Sequence, residues 1–358
     1  MANVRNIVLV AGLVGSSLLF VAESHALDKV TLGLPQAVGV HNADLGFGVK
    51  LGIFAEEGIE LKLIGFDGSG RTVPQVSQGT ITAALAHPDL VLQALNKGEP
   101  FPVTYVYNWR RRSPYEIAVK ESSPLKTLAD LRGKKLGVGA MTWANLPMTR
   151  AALSDLGIRW QQDVTIVPVG VGPAAWRQLD TGAIDAVNYY TAEHEKIRQA
   201  GFPLRLLEFP ESYKDMFTNG LLVHKDMITK NPGLVERMGR ALAKLTVACV
   251  SNIEKCVTGA WELDPTLKPD ESKRAEWIET NARIIKVNMM STTEFGQGQA
   301  RDWGRYPDKG WQTQVKVLAE GGLVKESLDP TPVYTNSFVT AFNKFDAAQI
   351  AKRVQDLK

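Results

Sequence analysis

The sequence predicts an α/β protein of two lobes alike in design, each a parallel-dominated sheet with helices on both faces. Three observations carry this. Short apolar runs alternate with single helical patterns, the order that lays strands side by side in parallel. One such unit recurs: "VSQGTITAALAHPD" and "LDTGAIDAVNYYTAE" each run from a helix end through Gly79 or Gly182 into a buried strand, then to polar residues opening a helix. The chain of 358 residues also suits two domains, at about 100–200 residues each.

Residues 1–26 are set aside as a signal peptide. "MANVRN" carries Arg5, "IVLVAGLVGSSLLFVA" is apolar, and "SHA" ends on small residues at Ala26, the three parts of a cleaved secretory leader. The apolar stretch is shorter than the roughly 20 residues of a membrane-spanning helix. An uncleaved anchor is the alternative. The mature chain is expected to begin near Leu27.

In the first unit "VTLGLP" (30–35) is a strand, followed by a helix ending at "AEEGI". "IELKLIG" (59–65) is a strand, "FDGSG" a turn, "RTVPQVSQG" a helix, and "ITAALAHPD" (81–89) a strand leading into another helix. The second unit repeats this grammar with "KLGVGA", the helix "NLPMTRAALSDLGI", "DVTIVPVG", a "VGP" turn, "AAWRQLDTG" and "AIDAVNYYTAE". "FTNGLLVHKDMI" (217–228) reads as a strand returning to the first lobe. The last third holds three long amphipathic helices, the first with Asn231 ahead of Pro232. They read as decoration of one lobe.

Composition is that of a soluble globular chain, 44% hydrophobic and 22% charged. A net charge of +3 is too small to point to nucleic acid. Cys249 and Cys256 would lie about 10 Å apart on an unbroken helix, too far to bond. A break near Ser251–Asn252 would let them pair, and otherwise they are two small buried residues.

In open parallel sheets ligands sit beyond the carboxyl ends of the strands. Here those positions are Gln36 to Asn42, Gly68 to Thr72 and His87 to Asp89 in the first lobe. In the second they are Met141 to Asn145, Gly170 to Pro173 and Asn188 to Glu193. Thr142, Trp143 and Asn145 stand where a helix begins, which suits a polar ligand as well as an ordinary cap.

The segments "GIFAEEGIELKLIGFDGSG", "VSQGTITAALAHPDLVLQALNKGEP", "SPLKTLADLRGKKLGVG", "GAIDAV" and "YTNSFVTAFNKFD", in this order, resemble the solute-binding proteins of nitrate/sulfonate/taurine-type ABC importers, which include pyrimidine-precursor binders. The resemblance implies a periplasmic binding protein type 2 fold with a ligand held between the lobes. Carried over, lobe 1 is 27–112 plus 216–358 and lobe 2 is 113–215, with crossings near "NWRRRSPY" and "EFPESYKDMF". It further implies a periplasmic monomer that closes on its ligand and delivers it to a membrane permease.

In "NWRRRSP" three adjacent arginines cannot all enter one cleft, so Arg110, beside Trp109, is the candidate for a carboxylate or sulfonate; a solvated charge run is the alternative. Ser69 and Arg71 sit at a helix start that favours an anion, though Arg71 could equally be a surface residue. His41, Asn42 and His87 follow strands and read either as ligand contacts or as structural hydrogen-bonders. Trp143 and one of Tyr189 and Tyr190 could stack on a flat ligand, whereas Trp176, inside a helix, reads as packing.

Catalysis has no support. Neither G-x-S-x-G nor H-E-x-x-H occurs, "GVGAMT" lacks the third glycine of a dinucleotide fingerprint, and the histidines lack metal-ligand spacing. No cofactor and no metal are expected. The function expected is capture of a small organic anion for an ABC importer; the alternatives are an aromatic or heterocyclic ligand, a ligand-loaded sensor partner, and a secreted enzyme on the same scaffold.

Overall fold

The computed structural model describes residues 26–214, 216–294, 301–307 and 309–357; the expected signal peptide, apart from Ala26, lies outside them. Ten strands form the framework: β1 (Asp28–Leu34), β2 (Ile59–Gly65), β3 (Ala83–Ala86), β4 (Val103–Asn108), β5 (Tyr115–Lys120), β6 (Lys135–Val138), β7 (Thr165–Pro168), β8 (Ala186–Tyr190), β9 (Leu204–Leu207) and β10 (Gly220–His224). They make two five-stranded sheets, ordered β2-β1-β3-β10-β4 and β7-β6-β8-β5-β9. In each, three strands run parallel and the fourth is antiparallel to both its neighbours. The two mixed sheets with their surrounding helices are a two-lobe periplasmic binding protein fold.

The internal repeat extends to single atoms. β3 and β8 take the same central place, and each is fed by an isoleucine plugging a glycine in the neighbouring strand. A Cβ on Gly33 would lie 2.6 Å from Ile81 Cδ1, and one on Gly137 would lie 2.4 Å from Ile184 Cδ1. No side chain fits there, so glycine lets the isoleucine close the core. One residue later Thr82 Oγ1 accepts from the Thr31 amide at 3.0 Å, and Asp185 Oδ2 from the Lys135 amide at 2.8 Å. These bonds occupy edge donors that a strand end leaves open.

The chain passes between the sheets twice, after Asn108 and before Gly220. β10 joins the first sheet between β3 and β4, as "FTNGLLVHKDMI" suggests. The late helices differ from the expectation: they do not decorate one lobe. The Arg274–Thr293 helix packs against the Thr191–Gln199 helix beside the second sheet, where Gln199 Nε2 donates to the Thr280 carbonyl at 2.8 Å. The Gly310–Glu320 helix sends Trp311, Val315 and Leu318 into the first lobe's core and Val317 into the second's. A stripe of apolar residues fixes that a helix packs, not on which core.

At the cysteines the Pro232–Ser251 helix stops and a second, Ile253–Val257, begins. Asn252 makes the break: its backbone is extended and its side chain accepts from the Lys255 amide at 2.8 Å. This cap turns the chain so that Cys249 and Cys256, 4.9 Å apart at Cα, form a buried disulfide. Among the described residues no helix is long and apolar enough to cross a membrane.

Candidate functional site: the cleft between the lobes

The strand-end loops of both sheets meet around a cavity, a space of about 670 Å³ that includes its opening to solvent. Its lining includes four aromatic rings (Trp109, Tyr115, Trp143 and Tyr190), four side-chain amides (Gln36, Asn42, Asn219 and Asn288) and Arg110. Leu34, Pro35, Gly68 and Ser69 add to the first lobe's wall. Rings supply flat apolar area, and amides supply both donors and acceptors.

The second lobe's wall is set by Trp143. Its indole lies over Gly139, where a Cβ would come within 2.3 Å of the ring, and stands 5.8 Å from Tyr190 and 6.0 Å from Tyr189. Tyr189 and Tyr190 are neighbours on β8, so they face opposite sides of the sheet. Tyr189 is buried, with its hydroxyl donating to the Gly170 carbonyl at 2.8 Å; Tyr190 lines the cavity. Asn145 is also structural. Fully buried, it donates through Nδ2 to the Asn188 carbonyl at 2.9 Å, tying its helix to β8.

The mouth is closed by a contact between lobes. Thr142 Oγ1 donates to the Asp67 carbonyl at 2.7 Å. Gly68, at φ 88°, lies so near that a Cβ would sit 2.4 Å from the Thr142 carbonyl oxygen. Only glycine allows both this conformation and this approach.

Arg110 reaches the cavity, but its charge is already engaged. Its guanidinium stacks 3.9 Å over the Trp109 ring centroid, donates to the Asn288 carbonyl at 3.1 Å and to Thr292 Oγ1, and lies 3.6 Å from Asp44 Oδ2. Burial drives the pKa of Asp44 up and that of Arg110 down, and their mutual attraction opposes both shifts. Its two neighbours leave the cleft: Arg111 is buried and donates to the Asp302 carbonyl, and Arg112 pairs with Glu211 and Glu294. Among the described residues, Trp109 Nε1 and Asn219 Oδ1 are buried in the same lining without a hydrogen-bond partner, a donor and an acceptor left open.

Ser69 Oγ accepts from the His87 amide at 3.0 Å. His87 itself is buried, 2.7 Å from Asp89 Oδ1, and lines a neighbouring hollow that shares Ser69 and Trp143 with the main cavity. Asn42 Oδ1 accepts from the Gly39 amide at 3.3 Å. His41 lines a further interlobe chamber. Arg71 is exposed and lines none of these spaces; its side chain leaves the helix start on the solvent side.

The cleft therefore gathers Asn42, Ser69, Trp109, Arg110, Trp143 and Tyr190 around one cavity and places Thr142 at its mouth. Tyr115, Asn219 and Asn288 were not singled out. Tyr115 opens β5 and Asn219 immediately precedes β10, at the crossings, where a strand pattern does not say which side chains face the cleft. Asn288 comes from a helix read as remote decoration; its Nδ2 donates to the His41 carbonyl at 2.7 Å.

The NMT1/THI5-like family model matches residues 45–254. The chain belongs to that family. A riboflavin-binding protein of Chloroflexus aurantiacus is 22% identical over 317 residues, 87% of this chain and 86% of that one. Among solved structures, the alkanesulfonate-binding protein SsuA of Xanthomonas axonopodis pv. citri, bound to MOPS, aligns with a TM-score of 0.61 at 16% identity, covering 87% of this chain and all of that one, 100%. The periplasmic nitrate-binding protein NrtA of Synechocystis PCC 6803 aligns with a TM-score of 0.61 at 15% identity, covering 93% and 99%. At such identities the structural likeness carries the fold. The proteins named here bind riboflavin, an alkanesulfonate and nitrate, so the likeness does not name a ligand for this chain.

Proposed function

We propose that this chain is the periplasmic solute-binding component of an ABC importer, and that its cargo is a flat, uncharged heterocycle with hydrogen-bonding edges, carried without chemical change. The observation that supports this is the cavity lining: four rings and four amides surround the site, while its arginine is balanced by buried Asp44. A flat ligand stacks on rings and exchanges hydrogen bonds with amides and with Trp109 Nε1 and Asn219 Oδ1, at no cost in unpaired charge. The relative named as riboflavin-binding supports the same class.

In this reading the lobes are 27–112 plus 216–358 and 113–215, and they hinge at the two crossings. Ligand favours the closed arrangement in which Thr142 meets Asp67, and the closed form docks on the permease after export of the mature chain.

A second reading, an organic anion such as a sulfonate, is favoured by Gly68 and Ser69 in the lining at the start of the Ser69–Ser77 helix. Thermal melts with a panel of flavins, pyrimidines, alkanesulfonates and carboxylates separate the two. A ligand at 100 times its Kd adds about 2.7 kcal/mol to the folded state. Shifts with the heterocycles alone support the main reading, and shifts with the sulfonates or carboxylates alone replace it. Turnover of a bound compound would make the chain an enzyme.

A further inference from the structure

Beside the main cavity lies a second chamber between the lobes, a space of about 1340 Å³ that includes its opening to solvent. The two share Gln36, Trp143 and Tyr190, so a ligand held against Trp143 and Tyr190 borders both. The second chamber is of a different chemistry. Beside the shared rings and apolar residues such as Val38, Phe66 and Ile284 it offers Gln36, His41, Glu193, Lys196, Gln199 and Asn281.

Two of its charges pair: Lys196 Nζ donates to Glu193 Oε2 at 3.0 Å, which leaves Asp67 as the remaining charged side chain of the lining. His41 is only 7% exposed, and among the described residues neither ring nitrogen makes a hydrogen bond of good geometry, although the Ala37 backbone lies close enough to favour the protonated ring. Burial, with Lys196 and Arg110 nearby, lowers its pKa to about 3, so near neutral pH the ring carries one donor and one acceptor. Buried polar groups of this kind are costly to leave unpaired, and a hydroxyl, itself donor and acceptor, matches a neutral imidazole.

We propose that the chamber at His41 is a second subsite, which takes an uncharged, hydroxylated substituent carried by the ring bound in the main cavity. This rests on the heterocycle reading above and names the substituent. The ring lies among Trp109, Tyr115, Trp143 and Tyr190; the chain passes beside Gln36 and ends among His41, Gln199 and Asn281. Glu193 and Lys196 satisfy each other's charge, so neither is free to pair with a charged substituent, and Asp67 in the lining repels an anionic one.

Calorimetric titration with matched pairs tests it: riboflavin against lumiflavin, and uridine against uracil, each pair sharing a ring and differing in its hydroxylated group. In at least one pair the hydroxylated member is expected to bind ten-fold or more tightly. His41→Leu is expected to remove most of that advantage while changing the bare ring's affinity by no more than two-fold. Asn281→Ala, on a partly exposed helix face, supplies a second variant should His41→Leu fold poorly, and a smaller loss of the same kind is expected. Equal affinity within every pair that binds, or equal weakening of both members by the variants, overturns the subsite. If no member of either pair binds, the heterocycle reading itself falls and the subsite with it.

Discussion

Thr142 Oγ1 and the Asp67 carbonyl, 2.7 Å apart, join the second lobe to the first at the mouth of the cleft. The bond exists only while the lobes are together, so it stabilises the closed state and not the separate lobes. Replacing Thr142 by Val keeps the shape and removes the donor. At about 1 kcal/mol for a hydrogen bond, ligand affinity is expected to fall roughly five-fold, through faster dissociation, with the unliganded melting temperature unchanged. Stopped-flow dissociation rates check this; an unchanged rate would mean that the contact does not latch the cleft.

Arg110 and Asp44 make a different case, because their pairing is buried. Arg110→Met leaves a fully buried carboxylate without its cation, which costs about 3–5 kcal/mol. The variant is expected to melt well below wild type, and the Arg110→Met/Asp44→Asn double variant to regain most of the loss. Equal destabilisation in the single and double variants would show that the pair does not act as a unit. Chemical denaturation at neutral pH measures it.

His41 predicts acid sensitivity. Its folded pKa is about 3, against an ordinary 6.5, chiefly because burial penalises the imidazolium. Between those values the unfolded chain binds the proton and the folded one does not, so stability falls as pH falls through 6.5 toward 3. From pH 7 to 5 the loss is about 2 kcal/mol. Lys196, Arg110, Glu193 and Asp44 surround this region and influence the acid limb, so the comparison is with His41→Gln. That variant is expected to show a shallower decline over this range; parallel curves would mean that His41 titrates normally.

The disulfide closes a loop of seven residues' separation. Constraining so short a loop in the unfolded chain contributes about 2 kcal/mol. Cys249→Ala/Cys256→Ala is expected to lose about that much while retaining ligand affinity, since both residues lie in the first lobe's core and not in the cleft. Urea denaturation and titration read the two effects separately.

The alternation of strands and helices, the internal repeat and the positions of the strand-end loops could be read directly from the chain. These features follow from local periodicity and turn chemistry, which neighbouring residues carry between them. "TITAALA" and "AIDAVNY" announce twin central strands because both place an isoleucine and a polar residue after a turn glycine. The break at Asn252 was legible as a possibility, since a cap residue there is a local signal.

Which side chains face the cleft was decided only by the tertiary structure. Tyr189 and Tyr190 differ by one step on a strand, and the sheet's orientation alone sends one into the core and the other into the cavity. Arg110 pairs with Asp44 from the first helix and is held by the Asn288 carbonyl and the Thr292 hydroxyl of a helix far along the chain. Asn288 enters the site because that late helix spans both lobes. Sequence fixes what a segment prefers over a few residues. A binding site is a meeting of segments far apart in the chain, settled by how their buried faces pack.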